Sequence, residues 1–423
     1  MGRSSSKPVK APVVKDITPI NPAEFIEYKS AFENGEMSKL KKKIDEDQDR
    51  WRKIVVNIAI IGNSGVGKSS FINIFRGIRG NCDGAAAVGV NETTEVPTKY
   101  VHPGNMNIAL WDLPGVGTLK FPNSTYLQDV GFDKYDYFLI ISSTRFTEND
   151  LWLAKEVHKL GKYFFFIRTK MNVDVENDKY DNPQSCKDVT VSNVRKAIET
   201  YFANGGLTNI QVFLIDSHFP FDYDFPILVT TMIDVAPKWK QEAMALTMTN
   251  LTESLIKRKK SILKRRILRV SLYSAIAAVA PLPGTSLLFD DKLVDREMYF
   301  YRKQFGPDDI SLKKSIGLLE IPGDVEALEK RLNLSSPSFG TSIAKSVPFL
   351  MSLRVADVAG PITEIVFPVI GSIIGAGISY GNTVYILMSI LNVFVSDALA
   401  INKELMKKLS APSLSPKDHK AKL

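Results

Sequence analysis

The stretch GNSGVGKSSF, residues 62–71, limits what this chain can fold into more than any other feature. It follows the apolar run IVVNIAIIG, leads into INIFRG, and fits G-x-x-x-x-G-K-[ST] with Gly62, Gly67, Lys68 and Ser69 in the fixed places. A strand that turns through such a loop into a helix aims backbone N–H groups and a positive helix end at one point. Gly62, Asn63, Ser64, Gly65, Val66, Gly67, Lys68, Ser69 and Ser70 are therefore expected to cradle phosphates. Lys68 would reach the β- and γ-phosphates, and the Ser69 hydroxyl would ligate Mg²⁺. A ligand-free glycine turn is the poorer reading. Val55, Val56 and Ile58–Ile61 suit a buried strand, and Phe71, Ile72, Ile74 and Phe75 suit a helix packed on a sheet.

The loop alone does not separate GTP from ATP. The second element is NIALWDLPGVG, residues 107–117. Asp112, at the end of a neighbouring strand, can hold the Mg²⁺ water shell, and Gly115 can offer its N–H to a γ-phosphate. In GVNETTEVPT, Thr94 can close over the metal as a switch threonine. The third element is KYFFFIRTKMNVD, residues 162–174. Guanine is read by [NT]-K-x-D, in which one carboxylate accepts both the N1–H and the 2-amino group. Thr169 and Lys170 are present, but Asn172 stands where the pattern has Asp. An amide offers one acceptor and one donor, so guanine selectivity is weakened, and a purine with a carbonyl at C2 would suit the NH₂. Asp174 either compensates or is a solvated loop acid.

Several signatures in order resemble the immunity-related GTPases, the interferon-inducible dynamin-like family of vertebrates. They are GNSGVGKSSFINIFRG, GAAAVGVNETTEVPTKYVHP, LWDLPGVGT, YDYFLIISSTRF, KYFFFIRTK and YDFPILV, then VAPLPGTSLLFDDKL and YFYRKQFGPDDISL. The resemblance spans roughly residues 20 to 400, and Lys68 places it with the GKS members of effector type. It implies an α/β P-loop GTPase domain, a mostly parallel sheet with helices on both faces, clasped by an all-helical domain built from N- and C-terminal segments. It implies GTP and GDP as ligands with Mg²⁺, slow hydrolysis of GTP to GDP and phosphate, and a homodimer or oligomer formed through the nucleotide face. Other immunity-related GTPases are possible partners. In the family a switch acid takes part in hydrolysis across the dimer, and the matching residue is Glu92; Lys68 and Thr94 complete the catalytic set. Val116 follows Gly115, where Ras-like proteins carry a water-positioning glutamine. The last base-contacting loop would be LIDSHF, with Ser217 and His218; His218 reads equally well as simply exposed.

With 423 residues, 44% hydrophobic and 24% charged, the chain can support a large core and two packed units. Cys82 and Cys186 have neither disulfide nor metal spacing, which fits a reducing cytosol. Residues 1–21 read as a flexible N-terminus without a secretory signal, and 22–50 as an N-terminal helical segment. Strands alternate with helices over 51–236, the G domain; residues 237–409 read as a C-terminal helical domain and 410–423 as a flexible tail.

Three features bear on membranes. MGRSSSK matches M-G-x-x-x-[ST], making Gly2 a myristoylation candidate, and one acyl chain needs a second signal for stable anchoring. KRKKSILKRRILR, residues 257–269, carries eight basic and no acidic residues, while the whole chain is at +8, so the excess sits in one helix-length patch. An anionic lipid surface suits it; so does a solvated helix face. Nucleic acid is not expected, since no aromatics interleave the patch. Residues 365–396 carry no charge, and Pro368, Gly381 and Asn382 divide them into pieces short for a crossing. They read as two central helices or as a hairpin that dips into a bilayer.

The favoured reading is a cytoplasmic GTPase, peripherally bound to intracellular membranes (endoplasmic reticulum, Golgi or a pathogen vacuole), that self-assembles there in innate immune defence against intracellular pathogens. The alternative is a nucleotide-binding membrane scaffold with little or no turnover, which Asn172 motivates. An ATP-using P-loop enzyme is disfavoured by Thr169–Lys170.

Overall fold

The computed structural model describes residues 22–78, 80–88, 96–116, 121–143, 146–279, 285–305 and 374–410. The chain begins with α1 (Pro22–Glu33) and α2 (Met37–Asp49), separated at Gly35, whose φ of +70° turns the backbone out of the first helix. The α/β region follows: β1 (Val56–Ile61), α3 (Lys68–Phe75), β2 (Thr98–His102), β3 (Asn105–Asp112), α4 (Tyr126–Asp129), β4 (Tyr137–Ser142), α5 (Glu148–Lys159), β5 (Tyr163–Arg168), α6 (Met171–Asp181), α7 (Lys187–Asn204) and β6 (Val212–Leu214). Helices α8 (Phe225–Val235), α9 (Lys238–Thr247), α10 (Glu253–Val270), α11 (Leu272–Val279), α12 (Thr285–Phe305) and α13 (Ile374–Ser410) complete the described chain.

Two compact units result. Arg52–Thr252 forms one; among the described residues, 22–51, 253–305 and 374–407 form the other. The first holds a six-stranded sheet in the order β2-β3-β1-β4-β5-β6, parallel except for the β2–β3 hairpin. Strand β1 therefore lies between β3 and β4, where the strand order reverses, and the loop leaving its carboxyl end opens onto a natural ligand crevice. All-apolar runs such as Tyr137–Ile141 and Phe165–Ile167 are buried along their whole length, as parallel strands covered on both faces require. On one face Ala59, Phe138, Phe166, Leu153 and Phe202 share a core. On the α3 side Phe71 meets Phe225 of α8 edge-on, ring centroids 5.9 Å apart.

Helix α9 belongs to the sheet unit although it lies beyond Pro237. Its Ala243, Met244 and Ala245 are buried, and Lys240 pairs with Asp136 at 2.5 Å.

The helical unit corrects two sequence-based expectations. The run 257–269 is not one solvated or lipid-facing stripe. Lys259 and Arg266 are buried, and of the run only Lys257 is exposed, where it pairs with Glu253. Arg266 holds both carboxylate oxygens of Glu297 at 2.8 Å and reaches the Gln48 carbonyl and side-chain oxygen at 3.2 Å. Its guanidinium also lies 4.3 Å from the centroid of Phe300. Arg269 pairs with Glu24 of α1 at 2.5 Å. Two cations of this all-basic segment, Arg266 and Arg269, thus meet acids distant in sequence. Second, α13 continues through Gly381 and Asn382 as one helix of 37 residues, because close packing on both sides outweighs the propensity cost of a single glycine. Within it Ser379–Glu404 is long and apolar enough to cross a membrane, and 72% of its most apolar window is buried within the protein. Residues 365–373 lie outside the described residues.

Glu297 is fully buried against Arg266, so Glu297→Ala leaves an uncompensated charge inside the helical unit and should cost about 3–5 kcal/mol. Denaturant unfolding of the full chain reads this, with Glu253→Ala, at an exposed pair, expected to leave the midpoint unchanged.

Candidate functional site

The carboxyl ends of β1, β3, β4, β5 and β6 bring the expected residues to one edge of the sheet. The loop after β1 is shaped by three glycines with different tasks. Gly62 is needed for space: a Cβ there would lie 2.2 Å from the carbonyl oxygen of Ile141 in β4. Gly65 and Gly67 are needed for conformation, at φ +74° and +96°. Gly67 caps α3 without any side-chain hydrogen bond, and no acid stands in the first helical turn. The N–H groups of Lys68, Ser69 and Ser70 thus begin a helix with its positive end uncapped, a ready anion site. Lys68 curls along the loop, donating to the carbonyls of Gly62 at 2.8 Å and Asn63 at 3.1 Å, which holds its ammonium over the phosphate cradle.

Asp112 ends β3 in register with Ile60, and the next N–H, that of Leu113, donates to the Ile60 carbonyl at 2.9 Å. The pairing carries a buried carboxylate to the strand end that feeds the phosphate loop. Ser69 and Asp112 supply a hydroxyl and a carboxylate, the hard oxygen donors that Mg²⁺ prefers. Among the described residues no group of three or more His, Cys, Asp or Glu could hold a metal alone. A hydroxyl and a carboxylate fit an ion that takes its remaining ligands from phosphate and water. Gly115 follows β3, half-buried. Glu92, Thr94 and Gly2 lie outside the described residues.

The loop after β5 does more than face a base. Thr169 is buried; its hydroxyl donates to the Val66 carbonyl at 2.5 Å and lies 3.2 Å from the Ser142 carbonyl, while its N–H donates to Ser142 at 2.8 Å. Lys170 adopts φ +58°, uncommon for a residue with a side chain, and its ammonium donates to the Gly65 carbonyl at 2.7 Å. Both residues expected at the base therefore brace the phosphate loop from behind.

Asn172 enters α6 half-buried. Its N–H donates to Asp216 Oδ2 at 3.1 Å, and its Nδ2 donates to Glu176 Oε1 at 2.8 Å. Asp174 is neither a solvated loop acid nor a substitute base reader: it pairs with Arg168 at 2.5 Å. Burial raises the Asp174 carboxyl above its usual value, against the pull of the guanidinium, and burial lowers Arg168. Ser217 is half-buried and His218 exposed, its N–H donating to Asp216 Oδ1 at 2.9 Å. Asp216 is thus the buried clasp between the base loop and the loop after β6. Sequence reasoning passed over it, although an acid directly after the apolar run VFLI, in the same LIDSHF segment as Ser217, was a usable signal.

A family model described as interferon-inducible GTPase matches residues 23–343. Interferon-inducible GTPase 1 of Mus musculus is 36% identical over 67% of this chain and 69% of its own length. Interferon-inducible GTPase 5 of Rattus norvegicus is 32% identical over 89% and 81%, respectively. Among solved structures, a variant of Era of Aquifex aeolicus, bound to GDP and AlF4-, aligns at 14% identity over 55% of this chain and 70% of its own, with a TM-score of 0.29, too slight a likeness to bear on the site.

The two kinds of glycine separate in mutagenesis. Gly62→Ala should lower stability by about 1–3 kcal/mol, because a β-strand carbonyl must move. Gly65→Ala meets no neighbouring atom and should cost about 1–2 kcal/mol from backbone strain alone. Thermal melts of both variants, with and without GDP and Mg²⁺, check this.

Proposed function

Since the chain belongs to the interferon-inducible GTPase family, we propose that it binds GTP and GDP with Mg²⁺, hydrolyses GTP, and does so within assemblies formed on intracellular membranes in innate immune defence. The observation that carries the nucleotide reading is the loop 62–70, open at the start of α3 and braced from behind by Thr169 and Lys170. The N–H groups of 65–70 would enclose the β-phosphate, with Lys68 spanning to the γ-phosphate. Ser69 and Asp112 would hold Mg²⁺, which neutralises charge developing on the phosphoryl oxygens. Gly115, which follows β3, would offer its N–H to the γ-phosphate.

The chain has no glutamine after Gly115 to orient the attacking water; Val116 is buried there. We take the missing group to come from a second copy, with Glu92 as the switch acid and Thr94 closing over the metal. Partners are then further copies of this chain and related GTPases. For membranes, Gly2 remains the first anchor candidate. Lys257 and the half-buried Arg258, Lys264 and Arg265 are what the basic helix can still offer anionic lipid. The assignment to the cytoplasmic face of endoplasmic reticulum, Golgi or a pathogen vacuole rests on the resemblance.

One assay tests the core of this reading. GTP turnover per molecule should rise with protein concentration, and Glu92→Ala should flatten that rise. Lys68→Ala should weaken GDP binding by at least about tenfold, the worth of one charge-assisted hydrogen bond, without changing the circular-dichroism spectrum. A rate independent of concentration removes activation by a second copy. Tight nucleotide binding with negligible turnover at every concentration favours the scaffold alternative.

A further inference from the structure

The acids around the base loop can be sorted by what each already holds. Asp174 is committed to Arg168. Asp216 accepts the N–H of His218 on one oxygen and that of Asn172 on the other. Asp178 takes Ser185, Thr190 and Asn182 at the far end of α6. Glu176, exposed one helical turn after Asn172, is the acid that meets its side chain. The bond sets which way the amide faces: one N–H of Nδ2 donates to Glu176, and Oδ1 accepts nothing from any described residue.

We propose that Glu176 is a specificity-determining positioning residue: by accepting from Nδ2 it presents Asn172 Oδ1 to a guanine base as an acceptor. This rests on the nucleotide reading above and deepens it. A carbonyl oxygen has two lone pairs, enough to receive both the N1–H and the 2-amino group that a carboxylate would receive. An amide whose NH₂ already donates to a carboxylate is polarised, so its oxygen is the stronger acceptor. Asn172 and Glu176 together then do the work of the aspartate this loop lacks. The sequence-based expectation that the Asn172 NH₂ would welcome a C2 carbonyl is reversed, because the bond to Glu176 turns the amide so that its oxygen, which repels such a base, is presented in place of the NH₂.

Equilibrium binding of GDP, IDP and XDP to the full chain with Mg²⁺ tests it. Wild type should prefer GDP to XDP and, lacking the 2-amino contact, bind IDP more weakly than GDP. Glu176→Ala should lower the GDP:XDP ratio by about fivefold, the worth of one net hydrogen bond, at an unchanged melting temperature. Glu176→Gln, which still offers an acceptor, should lie between. In an Asn172→Asp background Glu176→Ala should not lower the ratio, since a carboxylate has no donor to misdirect. A ratio indifferent to Glu176→Ala, or falling equally in the Asp background, overturns the proposal. Failure of wild type to bind any of the three removes the nucleotide reading itself, an outcome distinct from tight GDP binding that ignores Glu176.

Discussion

The hydroxyl of Thr169, donating to the carbonyl of Val66, ties the end of β5 to the loop after β1 across the end of β4. The geometry of the site depends on that tie. A phosphate loop points its N–H groups inward, so some of its carbonyls must face outward, and a buried one, such as that of Val66, needs a donor. Val66 receives Thr169 and Gly65 receives Lys170. Ser142 at the end of β4 holds the Thr169 N–H, and Ile141 presses so close on Gly62 that only glycine fits. Phosphate loop and base loop are therefore one mechanical piece, and the positive φ of Lys170 is the strain accepted to close it.

The helical unit follows a similar logic with charge. Within the run of eight cations, Arg266 and Arg269 meet acids from other helices. Arg266 finds Glu297 and Gln48, Arg269 finds Glu24, and Tyr273 donates to Asp45 of α2. Such pairs link helices far apart in the sequence, and removing one partner costs more than the intact pair adds. In the sheet unit Lys240 with Asp136 and Arg195 with Asp224 play the same part.

What was legible in the sequence was whatever is local. Alternating apolar runs gave the sheet, and the fixed spacing of Gly62, Gly67, Lys68 and Ser69 gave the loop, with Asp112 following at a strand end. What depended on tertiary partners was hidden. The basic run looked uniform because the acids that meet Arg266 and Arg269 lie far away in sequence, in α12 and α1. Gly381 and Asn382 looked like a break because propensity counts neighbours along the chain, while α13 is held by neighbours across it. Asp174 looked free because Arg168 precedes it by six residues and the ion pair forms only once β5 turns into α6. Glu176 attracted no notice, since an acid on an exposed helix is ordinary until its partner proves to be Asn172.

The claim that the two loops act as one piece is open to a direct measurement: the affinity of Thr169→Val for inorganic triphosphate with Mg²⁺, set beside its affinity for GDP. Triphosphate has no base, so a loop that only reads guanine cannot affect it. If Thr169 braces the phosphate loop, both affinities should fall together, by about fivefold for the loss of one hydrogen bond. Triphosphate binding equal to that of wild type, with GDP alone weakened, would contradict the account.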